Sequence, residues 1–325
     1  MIITRTPLRI SFAGGGTDLP SFYREYGGGA VTSAAIDRYV HVLVNEKFDQ
    51  SIRIAYSKLE DVEKLADVQH GLVREAMRRT GVTDSLEVHT IADIPSEGTG
   101  LGSSSSLTVG LLNALYAYRG VLKDPAELAD EACQIEIEDL HGTLGKQDQY
   151  IAAFGGLRHF EFRPDDTVRT TPIPLSTKER EAFSGHLSLF YTGLTRKAEG
   201  ILQGQDARTG ANRETLVAMR GLADRTRDAF LARNWEAVGT ILDEGWQLKR
   251  SLSTGISNDQ IDGFYARAKA AGAWGGKIAG AGGGGFLLVV HPAERHAQIA
   301  TALSPMRRLP VRITPEGSRI LFVGR

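Results

Sequence analysis

The chain has 325 residues, enough for two domains of ordinary size with a substantial buried core. Lys and Arg number 38 against 39 Asp and Glu, a net charge of −1 without long runs of one sign, so bulk charge argues against a nucleic-acid partner. A content of 42% hydrophobic and 24% charged residues excludes wholesale disorder, and the single Cys133 allows neither an intramolecular disulfide nor a metal-binding cysteine pair.

The N-terminus lacks the charged-then-apolar order of a signal peptide, and no later stretch reaches the ~20 apolar residues of a membrane span. A cytoplasmic protein with no membrane partner is expected. Residues 1–60 alternate apolar and polar, as in Leu8-Arg9-Ile10-Ser11-Phe12, which predicts strands. The period turns helical from Glu60 to Thr80 and returns to a strand at Leu86–Ile91. Leu107, Leu111 and Leu115 then mark one face of a helix that Gly120 closes. A second helix opens at Asp124, Pro125 and Glu127, an N-cap, a first-turn proline and the acid of a capping box, and runs to about His141. One or two strands at Gly155–Phe162 and a polar stretch reaching Ser184 complete the first half, so a boundary is placed between 1–184 and 185–325. The second half is predicted as a strand at Leu187–Tyr191, helices at about 211–233, 235–252 and 258–271, and βαββ-like order from Phe286 to Val323. This is an α+β pattern with an antiparallel sheet.

Thirty-seven glycines fall largely in clusters, and three of these organise the chain. In the middle one, Gly98 to Gly102 lead into Ser103, Ser104, Ser105 and Ser106 where a strand's end meets a helix N-terminus. Unpaired N–H groups and the positive end of the helix dipole converge at such a junction, which suits a phosphate; the alternative is a flexible loop with a capped helix. No segment has the G-x-x-x-x-G-K-[ST] spacing, so a P-loop is excluded. Gly280 to Gly285 match G-x-G-x-x-G but precede the apolar strand Phe286–Val290 rather than a helix, so that match is accidental. Five glycines in six residues there suggest close approach of another backbone or a ligand, as opposed to a floppy turn. The first cluster ends at Asp18, either a turn residue or an acceptor for ligand hydroxyls.

Two acids are separable by helical geometry. At ~100° per residue Glu136 falls within the apolar arc set by Leu128, Ala129, Ala132 and Leu140, and Glu138 on the polar face. A buried Glu136 needs compensation, either by a metal ion or by structural hydrogen bonds. Asp148, between a helix end and apolar Ile151–Phe154, could accept a proton from a substrate hydroxyl with Arg9 as a polarising cation. The eight histidines form no ligand pair at metal-binding spacing.

Thr6-Pro7-Leu8-Arg9-Ile10 through Gly14-Gly15-Gly16-Thr17-Asp18, then Pro95 through Gly100-Leu101-Gly102 and the four serines, then Lys277 through Phe286, occur with Gly145-Lys146-Gln147-Asp148-Gln149 between the last two. With these motifs the chain resembles the galactokinase, homoserine kinase, mevalonate kinase and phosphomevalonate kinase (GHMP) superfamily over essentially its full length. The resemblance implies a two-domain α+β GHMP kinase fold with the active site between the domains, and ATP and Mg²⁺ as cofactors. It implies that Gly98, Gly100, Leu101, Gly102 and Ser103 to Ser106 cradle ATP, with Ser104 and Glu136 on Mg²⁺. It makes Asp148 the catalytic aspartate and Arg9 its partner. Gly15, Gly16, Thr17, Asp18, Gln147 and Arg196 would contact the substrate, and Gly280, Ala281, Gly282 and Gly283 would close over it. Galactokinases carry Glu-His where this chain has Gly15-Gly16, which argues against galactose, and Glu97 stands where a small residue is usual. The pattern looks most like the bacterial heptose kinases, which phosphorylate the anomeric hydroxyl of D-glycero-D-manno-heptose 7-phosphate; fucokinase domains share part of it. The partners implied are a small-molecule sugar phosphate and ATP, with a homodimer left open. Arg5, Lys146, Arg196 and Lys197 are candidates for reading a distal phosphate. A catalytically silent sensor on the same fold is the rival from another class.

Overall fold

Strand β1 (Ile2–Ala13) shows how the sequence positions the site. Side chains alternate along a strand, so Leu8, Ile10 and Phe12 enter the core while Arg9 and Ser11 face a cleft on the other side. A computed structural model describes residues 1–95, 98–195 and 198–324. After β1, the short helix α1 (Pro20–Tyr23) leads to the long β2 (Gly29–Glu46), and β3 (Ile52–Ala55) and β4 (Leu59–Val62) follow. The segment then forms α2 (Gly71–Thr80) and β5 (Leu86–Ala92). Helices α3 (Ser103–Tyr118), α4 (Pro125–Cys133) and α5 (Gln147–Phe154) precede β6 (Leu157–Phe162), β7 (Val168–Pro172) and α6 (Thr177–Ser184). The chain continues with β8 (Leu187–Tyr191), α7 (Ala198–Asp206), α8 (Arg213–Leu231), α9 (Trp235–Ser251) and α10 (Asp259–Ala270). It ends with β9 (Gly275–Ile278), β10 (Phe286–Val290), α11 (His296–Ala302), β11 (Arg307–Leu309) and β12 (Arg319–Val323).

Eight strands form one sheet in the order β12-β1-β2-β5-β3-β4, with β6 paired to β2 and β7 to β6. The other sheet is antiparallel, β11-β8-β10-β9. Leu8, Ile10 and Phe12 of the first sheet share one apolar cluster with Leu189 and Leu288 of the second and Phe230 of α8, so the two sheets enclose a common core. Phe12 meets Phe230 edge-on, ring centroids 5.0 Å apart, an arrangement that aromatic rings favour.

Several segments differ from the sequence expectation. The helical period expected from Glu60 holds only from Gly71. Residues 59–62 form an edge strand, because the Arg53 guanidinium grips Asp61 across the pair at 2.6 Å and the Glu60 carboxylate accepts the Gln69 and His70 amides. The helix from Asp124 has its expected capping box, but its α geometry ends at Cys133 and Gln134–Asp139 continue as a π-helix. Helices α6 and α7 fall where no helix was expected. The last strand, assigned to the second half by chain order, pairs antiparallel with β1, Ile2 opposite Val323. Its partner's free edge, remote in sequence, outweighs local order. Among the described residues no helix is long and apolar enough to cross a membrane.

Candidate active site

A cleft of about 480 Å³ opens where the N-terminus of α3, the start of α5 and the glycine loop before β10 meet β1. At its centre Arg9 Nε and Nη2 donate to the two oxygens of Asp148, each at 2.6 Å, and Nη1 donates to the Gly100 carbonyl at 2.5 Å. The Arg9 side chain is 6% exposed and that of Asp148 20%, so the pair is rigid yet reachable from the cleft. Bidentate geometry of this kind fixes a carboxylate in orientation as well as place.

Gly98, Gly100 and Gly102 all take positive φ, and Gly102 is the N-cap of α3. A Cβ on Gly100 would overlap the Ala279 carbonyl oxygen, and one on Gly280 would come within 2.7 Å of Gly100 Cα. The middle and last glycine clusters therefore interlock backbone to backbone, which is why both are glycine. Of the four serines, Ser103, Ser104 and Ser105 line the cleft. Ser106 turns away and donates to the Pro7 and Gly102 carbonyls, and Leu101 is fully buried with its carbonyl accepting the Arg9 amide. Neither residue lines the cleft, unlike the other members of the expected set.

Glu136 is buried, as its helical position predicted, and Glu138 is exposed. Ser105 Oγ donates to Glu136 Oε2 at 2.9 Å, while among the described residues Oε1 has no hydrogen-bond partner. Burial pushes this carboxyl up to about 7. Ser104, expected beside it, is exposed at the helix start, and Ser105 makes the contact. An orphaned, buried carboxylate oxygen in a cleft walled by serine hydroxyls suits Mg²⁺, which is commonly held by one or two carboxylates together with substrate phosphates. Among the described residues no group of three or more His, Cys, Asp or Glu could hold a metal.

Asp18 is also buried. Its Oδ1 accepts the Gly16 amide at 2.9 Å and its Oδ2 the Gln147 side-chain amide at 3.1 Å, and burial raises its pKa. Gly145 leaves the space this carboxyl occupies. Gly15, Gly16, Gln147, Gly280, Ala281 and Gly282 line the same cleft. Thr17 does not, because its hydroxyl donates to the Gly14 and Ala30 carbonyls, and the Gly283 amide donates to the Ile256 carbonyl. Arg196 lies outside the described residues, as do Glu97 and Lys197.

Two cations were not singled out from the sequence. Lys249 of α9 is buried and lines the cleft, its Nζ donating to the Gly280 carbonyl, and burial lowers its pKa to about 8. The signal was present: Lys249 stands three residues after Trp246 and seven after Leu242, in the buried stripe of its helix. Lys277 is buried behind the cleft, its Nζ donating to Ser11 Oγ at 3.0 Å, and burial holds its pKa well below the usual lysine range.

The profile of the GHMP kinases N terminal domain matches residues 68–156 and that of the GHMP kinases C terminal domain residues 226–306. A curated D-glycero-alpha-D-manno-heptose 7-phosphate kinase of Campylobacter jejuni is 31% identical over 310 residues, 91% of each chain. The chain belongs to the GHMP kinases. The crystal structure of a D-glycero-D-manno-heptose 1-phosphate kinase from Bacteroides thetaiotaomicron superimposes with a TM-score of 0.83 at 25% identity, covering both chains completely. An L-fucokinase/L-fucose-1-P guanylyltransferase of Bacteroides fragilis is 27% identical over 94% of this chain and only 36% of its own length. This GHMP kinase is a phosphotransferase acting on a sugar hydroxyl, with the two-domain α+β fold of that family.

Proposed function

We propose that this kinase transfers the γ-phosphoryl group of ATP to the anomeric hydroxyl of D-glycero-D-manno-heptose 7-phosphate, giving the 1,7-bisphosphate. The observation that carries the reading is the Arg9–Asp148 pair set against the glycine-serine loop at the start of α3. The heptose phosphates named for the Campylobacter and Bacteroides relatives support a phosphorylated heptose as acceptor.

Phosphoryl transfer through a loose transition state requires positioning and charge stabilisation more than covalent chemistry from the protein. Asp148, held by Arg9, hydrogen-bonds the anomeric hydroxyl, aims its oxygen at the γ-phosphorus and takes its proton as the new P–O bond forms and the bond to the β-phosphate oxygen breaks. Asp18 and Gln147 accept and donate to the other sugar hydroxyls. The N–H groups at the start of α3 and the hydroxyls of Ser103 and Ser104 receive the nucleotide phosphates. Glu136 and Ser104, with Ser105 orienting the carboxylate, would hold Mg²⁺, whose charge offsets that of the phosphates when bound.

The test is ADP release from Mg-ATP with D-glycero-D-manno-heptose 7-phosphate, sedoheptulose 7-phosphate, fucose, mannose and galactose, with Asp148→Asn as control. Turnover confined to the heptose phosphate and lost in the variant is the expected result. Preference for an unphosphorylated sugar such as fucose overturns the substrate, and ATP binding without any turnover returns the sensor reading.

A further inference from the structure

The side-chain amide of Gln205 is buried with its hydrogen bonds incomplete. The residue sits in the last turn of α7, is 1% exposed and lines the cleft, and among the described residues its Nε2 has no hydrogen-bond partner. An amide nitrogen carries two donors, and sealing them from water unpaired is costly unless a ligand accepts from them. The fold nonetheless makes room for this group: a Cβ on Gly16 would overlap Nε2, so the glycine is what admits the glutamine. Ser21 Oγ of α1 donates to Asp206 Oδ1 at 2.5 Å and shares a hydrogen bond with Thr209 Oγ1 at 3.1 Å, which fixes the end of α7 against the segment after the first glycine cluster. The Gly16 amide donates to Asp18 Oδ1 at 2.9 Å, and Asp18 Oδ2 accepts Gln147 Nε2 at 3.1 Å, leaving Gln147 Oε1 also without a hydrogen-bond partner among the described residues. Gln147 borders Gly15 as Gln205 borders Gly16. One wall of the cleft thus carries a spare acceptor from the first half of the chain and spare donors from the second, all on neutral groups, and such a set matches hydroxyls, which both donate and accept.

We propose that Gln205 donates from Nε2 to a hydroxyl of the acceptor sugar and is a specificity-determining residue supplied to the site by the second half of the chain. The terminal amide torsion of glutamine is soft, so the N–H₂ group turns off Gly16 onto a ligand without movement of the helix. The inference deepens the function proposed above and rests on it for placing the acceptor beside Asp18. A site whose buried donors are completed only by a substrate hydroxyl rejects the analogue that lacks it.

Gln205→Met keeps the length of the side chain and removes both donors. Because Nε2 has no hydrogen-bond partner among the described residues, the ligand-free variant should melt at or above the wild-type temperature. With saturating ATP its KM for the heptose 7-phosphate should rise about 10-fold, with kcat and the KM for ATP hardly moved. The 2-, 3-, 4- and 6-deoxy forms of that acceptor then locate the contact: on one of them the wild type and Gln205→Met should have the same KM. An unchanged KM, an equal loss for ATP, or a lowered melting temperature overturns the inference and leaves Gln205 a structural part of the wall, and so does the same added loss on all four deoxy forms. If another sugar is turned over in place of the heptose 7-phosphate, the proposed substrate falls, and the KM comparison on that sugar judges Gln205 separately. Turnover of the heptose 7-phosphate with a wild-type KM in the variant sinks this inference alone. Should no sugar turn over, calorimetric titration of the heptose 7-phosphate into both proteins decides: weaker binding by the variant upholds the contact, and equal binding refutes it.

Discussion

Asp148 offers both carboxylate oxygens to one guanidinium, that of Arg9, over two contacts of 2.6 Å. The two residues lie 139 positions apart, one in the middle of β1 and the other in the first turn of α5. Replacing Asp148 by Asn removes the proton acceptor with little change of volume, and kcat should fall ~10²-fold or more with ATP affinity nearly intact. Steady-state kinetics beside nucleotide titration decides it: an unchanged kcat removes Asp148 from the chemistry.

Glu136 has one oxygen held by Ser105 and the other without a hydrogen-bond partner among the described residues, whereas Glu138 is exposed. Glu136→Gln should therefore raise the Mg²⁺ concentration needed for half-maximal rate, and Glu138→Gln should leave it unchanged. Rate measured against Mg²⁺ at fixed ATP distinguishes them, and the reverse order of effects would place the cation elsewhere.

Gly100 combines a φ of +72° with a backbone approach that leaves no room for a side chain. Gly100→Ala forces both a left-handed alanine and a shift against Ala279, at a cost of about 1–3 kcal/mol. The expected outcome is a lower melting temperature together with a raised KM for ATP. A variant with wild-type values for both would mean that the interlock of the two loops is not needed.

Lys249 makes a pH prediction for the ligand-free protein. Its folded pKa, about 8, lies below the ordinary lysine value of 10.5, so the folded state holds this proton less tightly than the unfolded chain. The stability associated with the neutral amine is present above pH 10.5 and is lost as pH falls through about 8. Lys249→Met escapes that loss. At pH 7 it should be more stable than the wild type by on the order of 3 kcal/mol at most, with the difference shrinking toward pH 10. Denaturant melts at the two pH values check the sign, and a wild type more stable than the variant at pH 7 refutes it.

Local chemistry was legible where one stretch of chain decides the outcome. The capping box at Asp124 needs only Glu127 three residues on, and both of its hydrogen bonds form. The inward aspect of Glu136 follows from Leu128, Ala129 and Ala132 within two turns, and it survives the passage into π geometry. What escaped depends on distant partners. The hydroxyls of Thr17 and Ser106 look like ligand groups in sequence, yet the Ala30 and Pro7 carbonyls claim them once β2 and β1 are in place. Lys249 was not singled out, because the group its ammonium meets, the Gly280 carbonyl, lies 31 positions later. The edge strand at 59–62 depends on Arg53 across a pair that periodicity does not reveal.

Strand β12 joins the edge of β1 more than 300 positions after β1 itself, Ile2 facing Val323. Bringing such remote segments together is entropically slow, and an unpaired edge strand is a template for pairing with other chains. During synthesis β1 can dock on β2 early, but its other edge stays open until the rest of the second sheet has been made. This late-emerging strand thus acts as a seal on β1, and the wait for it is the interval in which edge-to-edge aggregation competes with folding.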